Sequence, residues 1–526
     1  MELKGIHFIG NESSRKGDSF FYGVDPAGIA KLEPAYADAT AEEINKAVEK
    51  AYNAFEVYRK VSPEKKARFL ELIAEEILNL GDDLINRCML ETALTYDRLV
   101  GERTRTVNQL KLFAEVVREG SWVEARIDNA IPDRLPLPKK DIRQMQIPVG
   151  PVAVFGAGNF PLAFTVAGGD TASALAAGCT VVYKAHPGHP GTSEMLGFAM
   201  LNAVKKAGLP DGIFSTVHGV SSGVGMTIVN HPLIKAVGFT GSYKGGKALF
   251  DAAVRRPEPI PVYAEMGSTN PVFILPGAVD SRTKEIAEGL AGSFTLGVGQ
   301  FCTNPGVVIL SKSNKSNEFV DYLKKIIRKQ SPGVMLSERM KSGFEKGIKN
   351  LETKAGIKLV SKGNEGSGVC EATTYLLKTT AEQFLNDDTL ELEVFGPSTL
   401  IIQAEGKADL LKIAKRLHGH LTATIHCKDD NELSQYSGLA DILKQKAGRL
   451  IINDFPTGVE VCYSMFHGGP FPATTDARFT SVGTAAIKRW VRPVSFQNYP
   501  EHLLPDELRN SNPLKIWRLI DGTWKK

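Results

Sequence analysis

The sequence predicts two α/β units built on parallel sheets, with a short β arm set apart from both. From residue 150 onward, short apolar runs alternate with helical stretches at the spacing of strand–crossover–strand units. Glycine clusters stand where those strands would turn into helices. A Pro- and charge-rich stretch at 126–148 breaks both patterns and suits an extended arm or edge hairpin. A chain of 526 residues is too long for one ordinary core, so more than one domain is expected.

Taken in order, residues 1–36 read as short strands and turns, and residues 40–118 carry helical periodicity. Thr40 with Glu43 forms a capping box, because each side chain can satisfy the other's free backbone N–H. Ser62 followed by Pro63 opens the next helix. Strands are expected at 152–155, 180–184, 213–218 and 234–239, with a small-residue helix over 162–177. This is a doubly wound parallel sheet. A second set follows at 272–275, 307–310, 399–403 and 449–453. The stretch after Trp490 is polar and contains proline.

Composition narrows the functional classes. Hydrophobic residues make up 43% and charged residues 23%, ordinary for a globular enzyme. A net charge of +4 is too small to imply a nucleic-acid or membrane partner. The six cysteines, Cys88, Cys179, Cys302, Cys370, Cys427 and Cys462, show no metal-ligand spacing, which favours a reducing compartment. No signal peptide or membrane span is read, so the cytoplasm is the expected location.

Several motifs compete. Gly156-Ala157-Gly158 follows a strand and starts like a dinucleotide fingerprint, but Pro161 stands where the third glycine should be. Gly241 to Lys247 nearly matches a P-loop, but Ala248 replaces the hydroxyl that would hold magnesium. A glycine-rich helix N-terminus there still favours a phosphate, or Ser242 is a simple cap. Gly219-Val220-Ser221-Ser222-Gly223 fits a nucleophile elbow and raises a rival class, a serine hydrolase using Ser221. His186 and His189 have ligand-like spacing without a third ligand nearby, so no metal site is expected.

Cys302 differs from the other cysteines. Its neighbours are Gly299, Gln300, Thr303 and Asn304, a polar, glycine-rich setting that lets a ligand approach and favours thiolate over thiol. Glu265 sits between apolar residues at a strand boundary. Such a carboxylate is expected to have a raised pKa and to suit a general base, with an ordinary ion pair as the alternative.

Asn159-Phe160-Pro161, Phe239-Thr240-Gly241-Ser242, Glu265-Met266-Gly267, Gly299-Gln300-Phe301-Cys302 and Glu393-Val394-Phe395-Gly396-Pro397 occur together and in order. As a set they resemble the aldehyde dehydrogenase superfamily, from about residue 20 to 500. The resemblance implies that residues 1–125 and 149–264 form a dinucleotide-binding domain and 265–465 a catalytic domain. It implies an oligomerisation arm from 126–148 and 487–500, a homodimer or homotetramer, and a C-terminal tail at 501–526. It casts Cys302 as the nucleophile that attacks the aldehyde, Asn159 as an oxyanion donor, and Glu265 as the base that releases the acid from a thioester. Phe155, Lys184, His186, Gly225, Phe239, Ser242, Gly267, Glu393 and Phe395 are the cofactor contacts it implies.

Many NAD-preferring relatives carry an acid at the position of Pro187; its absence beside Lys184 and His186 implies NADP, with NAD also accepted. Gly158, where an aromatic is common, and Asn304-Pro305 reshape the pocket. Phe455 to Cys462, His467 to Asp476 and Ser481 to Pro493 resemble the branch that oxidises 2,5-dioxovalerate (α-ketoglutarate semialdehyde) to 2-oxoglutarate. Long-chain aldehydes are the alternative substrates. An anionic substrate needs a cation, and register with the substrate-lining helix of the relatives implies Arg105, with Phe160 as a second substrate contact.

Overall fold

The structure is a computed structural model and describes residues 2–526. Its first sheet has seven strands, in the order Val262–Glu265, Ala236–Thr240, Val152–Phe155, Val181–Lys184, Phe214–Val217, His7–Ile9, Glu12–Ser14. The first five are parallel and the last two antiparallel. Val152–Phe155 therefore begins the parallel set in sequence and lies in its middle. The chain winds one way from it and then returns to add Ala236–Thr240 on its other side. That reversal opens a crevice at the carboxyl ends of these two strands. Phe155 and Phe239 are register partners there.

The second sheet also has seven strands: Lys358–Lys362, Tyr375–Thr380, Ser398–Ala404, Val307–Ser311, Val272–Ile274, His420–His426, Ala447–Ile452. Only the Lys358–Lys362 edge is antiparallel. Helices cover both faces of each sheet, which is why the strands read as continuous apolar runs. The Thr40–Glu43 capping box and the Ser62 cap form as the sequence predicts.

Two elements differ from expectation. The helix expected over 162–177 begins only at Gly169. The backbone N–H groups of Leu162 and Ala163 donate instead to the buried carboxylate of Glu102, at 2.8 and 2.9 Å. A tertiary acceptor has replaced the helical one and holds the segment after Asn159 in turns. Residues 501–526, expected as a tail, join a third sheet of five strands. Its order is Val491–Gln497, Ile142–Pro148, Arg126–Asp128, Arg518–Ile520, Thr523–Lys525. Leu504, Leu508 and Ile516 are buried against Val123, Ile127 and Met145 in a small separate core. Apolar residues spaced too irregularly to signal an element from sequence drive that packing. Among the described residues, no helix is long and apolar enough to cross a membrane.

Candidate active site

Cys302 follows a turn in which Gly297, Val298 and Gly299 all have positive φ, at 55°, 58° and 65°. A Cβ on Gly299 would stand 2.3 Å from the carbonyl carbon of Gly396, so only glycine fits. Asn270 fixes the other side of the loop. Its side-chain amide donates to the carbonyls of Cys302 and Asn304 at 2.8 and 2.9 Å. The Asn159 amide donates to the Gln300 carbonyl at 3.0 Å. One of its two N–H groups is spent there and the other is available to a ligand.

Glu265 ends the strand Val262–Glu265 and is buried. The segment 467–481 lies against this strand: Met266 N–H donates to the Ala473 carbonyl, and Ala264 N–H to the Thr475 hydroxyl. That packing delivers His467 and Ser481. His467 Nε2 lies 3.0 Å from Glu265 Oε1 and 3.5 Å from Cys302 Sγ. Ser481 Oγ donates to Glu265 Oε2 at 2.6 Å and to the His467 carbonyl at 3.1 Å.

These neighbours reverse two expectations. Burial pushes the Glu265 carboxyl up, but the His467 charge and the hydrogen bonds from His467 and Ser481 outweigh it, and its pKa is lowered. Loss of water, then the Glu265 charge, pushes the Cys302 thiol well above its ordinary value. The resting sulfur is therefore a thiol and needs a base in contact with it, rather than being a thiolate by virtue of its loop. Glu265 is the base that the thiol meets, and sequence reasoning missed His467, the partner that lowers it. Its signals were the glycine-rich His467-Gly468-Gly469-Pro470 run and the likeness of 467–476 to the 2,5-dioxovalerate branch. Ser481, Asn270 and Glu102 were also missed, since each acts through a partner more than 30 residues away in the chain.

Of the expected cofactor contacts, Phe155, Lys184 and Phe239 stand at or near the carboxyl ends of first-sheet strands, and Gly225 and Ser242 at the starts of helices that follow such strands. A Cβ on Gly225 would stand 3.2 Å from the Phe155 ring, and those on Gly241 and Gly245 would stand 2.7 and 2.9 Å from the Phe239 ring. A side chain at any of the three would press on these rings. Ser242 caps the helix Tyr243–Val254 by accepting from Gly245 N–H, and its first turn faces solvent. Burial lowers the Lys184 pKa to about 8, opposed by Asp38. His186 stacks on His189 with ring centroids 5.2 Å apart. A Cβ on Gly267 would collide with Glu393, so glycine there admits that carboxylate, which accepts from Ser268 N–H at 3.3 Å. Glu393 and Phe395 border one cavity with Gly299 and Asn304. Glycines against the rings, a helix N-terminus and a half-buried lysine fit a nicotinamide dinucleotide.

Arg105 holds its guanidinium 5.2 Å from the Phe164 ring, with Nη2 3.4 Å from the Val459 carbonyl and Nη1 buried without a partner. Phe160 packs edge-on to Phe301, beneath the Arg98 guanidinium. Ser221, the rival nucleophile, is exposed, and its backbone N–H donates to Asp38.

Residues 17–470 match the aldehyde dehydrogenase family. Alpha-ketoglutaric semialdehyde dehydrogenase 2 of Azospirillum brasilense is 46% identical over 524 residues, covering 99% of each chain. The alpha-ketoglutaric semialdehyde dehydrogenase of Acinetobacter baylyi is 46% identical over 488 residues, covering 93% of this chain and 92% of its own. Among solved structures, an E. coli NADP-dependent enzyme superposes with a TM-score of 0.80 at 21% identity, covering 94% of this chain and 98% of its own. The chain belongs to the aldehyde dehydrogenase family, α/β oxidoreductases that use NAD(P) and convert an aldehyde to an acid.

Proposed function

We propose that the protein oxidises 2,5-dioxovalerate to 2-oxoglutarate with NADP as the preferred cofactor. The observation that carries the substrate is the buried Arg105 Nη1 without a partner. Burial lowers the Arg105 pKa, while Glu102, Cys302 and Glu460 favour its charge. A guanidinium held this way gains from a substrate carboxylate that arrives already charged. Arg449 braces the same wall by donating to the carbonyls of Pro456 and Gly458, beside the Val459 carbonyl that Arg105 meets. The named activity of the two relatives at 46% identity supports the same substrate.

In the reaction, ionised Glu265, held by Ser481 and by the N–H of His467 Nε2, takes the Cys302 proton as Sγ bonds to the aldehyde carbon. The free Asn159 N–H and the Cys302 backbone N–H hold the developing oxyanion. When bound, the nicotinamide supplies the acceptor for the hydride. Cys302 is left carrying the acyl group as a thioester, and Glu265, once it has given the first proton to solvent, removes a proton from the water that releases the acid. Lys184 and His186, with no acid at Pro187, would hold a 2′-phosphate, and Glu393 and Phe395 the nicotinamide ribose.

The six free cysteines accord with a reducing, cytoplasmic setting. The arm is the proposed contact between subunits of a dimer or tetramer, since Leu135 and Leu137 on it are 88% and 70% exposed.

The test compares 2,5-dioxovalerate with pentanal, each with NADP and NAD. Arg105→Ala is expected to raise KM for the anionic aldehyde about tenfold or more and to leave pentanal nearly unchanged. Equal effects on both aldehydes would remove the assignment.

A further inference from the structure

We propose that Cys302, His467 and Glu265 form a zinc site, and that zinc held there reversibly locks the enzyme. Their sulfur, imidazole nitrogen and carboxylate oxygen all lie within 4.8 Å of one another. His467 Nε2 sits between the other two, 3.5 Å from sulfur and 3.0 Å from oxygen. A tetrahedral zinc with bonds of about 2.0–2.3 Å sets its ligand atoms roughly 3.3–3.8 Å apart. The cluster thus closes on the metal with shifts of about an ångström or less. One thiolate, one imidazole and one carboxylate form a mixed set that suits zinc better than magnesium or calcium, which prefer oxygen alone. Three protein ligands leave the fourth position open, as in catalytic zinc sites.

Two further features make this a built site. Ser481 Oγ holds Glu265 Oε2 at 2.6 Å, which fixes the carboxylate and aims its other oxygen at the cluster. The His467 backbone is tied at both ends of its peptide, its N–H donating to Thr480 Oγ1 at 2.8 Å and its carbonyl accepting from Ser481 N–H at 2.8 Å. Cys302 remains partly open to solvent, so a hydrated ion has a way in.

Binding is an acid–base exchange without electron transfer. The thiol proton leaves to solvent as the Zn–S bond forms, and any proton on His467 Nε2 leaves or moves to Nδ1. Glu265 coordinates as the carboxylate, and zinc sheds waters in return. The sulfur is then bound to metal, and both Glu265, proposed to move its proton, and His467, which holds Glu265, are occupied. The inference rests on the position of three side chains and is independent of which aldehyde is oxidised.

The experiment uses metal-free full-length protein titrated with cobalt(II) as a spectroscopic probe and with zinc chloride. Cobalt is expected to give a thiolate-to-metal charge-transfer band and the visible absorption of a tetrahedral site, at one equivalent per chain. Zinc is expected to slow iodoacetamide labelling of Cys302 at least about tenfold and to abolish aldehyde oxidation, with EDTA restoring both. His467→Asn should weaken zinc at least about a hundredfold and Ser481→Ala about tenfold. Cofactor binding and the near-ultraviolet circular dichroism of each variant report that it is folded. A cobalt complex without the charge-transfer band, or zinc affinity unchanged in folded His467→Asn, overturns the site. Because binding and labelling are read without turnover, an inactive substrate panel would strike the proposed reaction and leave this test standing.

Discussion

Glu265 and Glu393 lie close enough for the charge of one to act on the other, and their surroundings drive them in opposite directions. Glu265 is 3% exposed and its carboxyl is lowered. Glu393 keeps contact with solvent through the cleft, yet its pKa is raised to about 7. Accessibility alone would order them the other way. Glu265 has a histidine on one oxygen and a hydroxyl on the other. Glu393, exposed as a residue, has its carboxyl partly stripped of water, accepts from one backbone N–H and feels the negative charge of Glu265. Partners set the protonation state where burial only sets the size of the penalty. The first region is complete before any ligand arrives, and the second keeps its capacity for one.

The sharpest way to break this contrast is His467→Asn, which removes the partner and leaves the burial. Activity should fall about 10²–10⁴-fold, the usual cost of losing a positioned base, since His467 holds Glu265. The acidic limb of the kcat/KM profile should also move to higher pH, because the remaining Ser481 hydrogen bond opposes the desolvation of Glu265 less well. An unchanged profile would show that His467 does not control Glu265. Glu102→Ala comes next. Glu102 is a third carboxylate, buried, and its pKa is raised by burial against the opposing pull of Arg98 and two backbone N–H groups. Truncation leaves those N–H groups unpaired, at a cost of roughly 3 kcal/mol in stability. It also frees the Asn159 segment, so kcat should fall about tenfold; thermal melts and kinetics together read both effects, and a melt like wild type would sink the account. The smallest effect is at Glu393. Its raised pKa makes it neutral below about pH 7 and an acceptor above, so cofactor affinity should change across that range. Glu393→Gln should flatten the dependence, and a profile equally steep in the variant would assign the titration elsewhere.

Part of this was legible because it is local. The capping box at Thr40, the strand Val152–Phe155 and the glycines around Cys302 depend on neighbours a few residues away. The motifs around Asn159, Glu265, Cys302 and Glu393 could likewise be placed in one family from their order alone. The turns after Pro161 were not legible, because the group that replaces the helical acceptor comes from Glu102, about 60 residues earlier. The protonation states were read in the wrong direction for Glu265 and Cys302 for the same reason.

The sequence by itself determined the two parallel-sheet units, the family and the residues brought to the cleft, since periodicity, turn chemistry and motif order are written along the chain. Only the tertiary structure decided that His467 and Ser481, 202 and 216 positions beyond Glu265, complete its hydrogen bonds. Electrostatic energy depends on distance in space, and folding sets those distances by packing the 467–481 segment against the Glu265 strand.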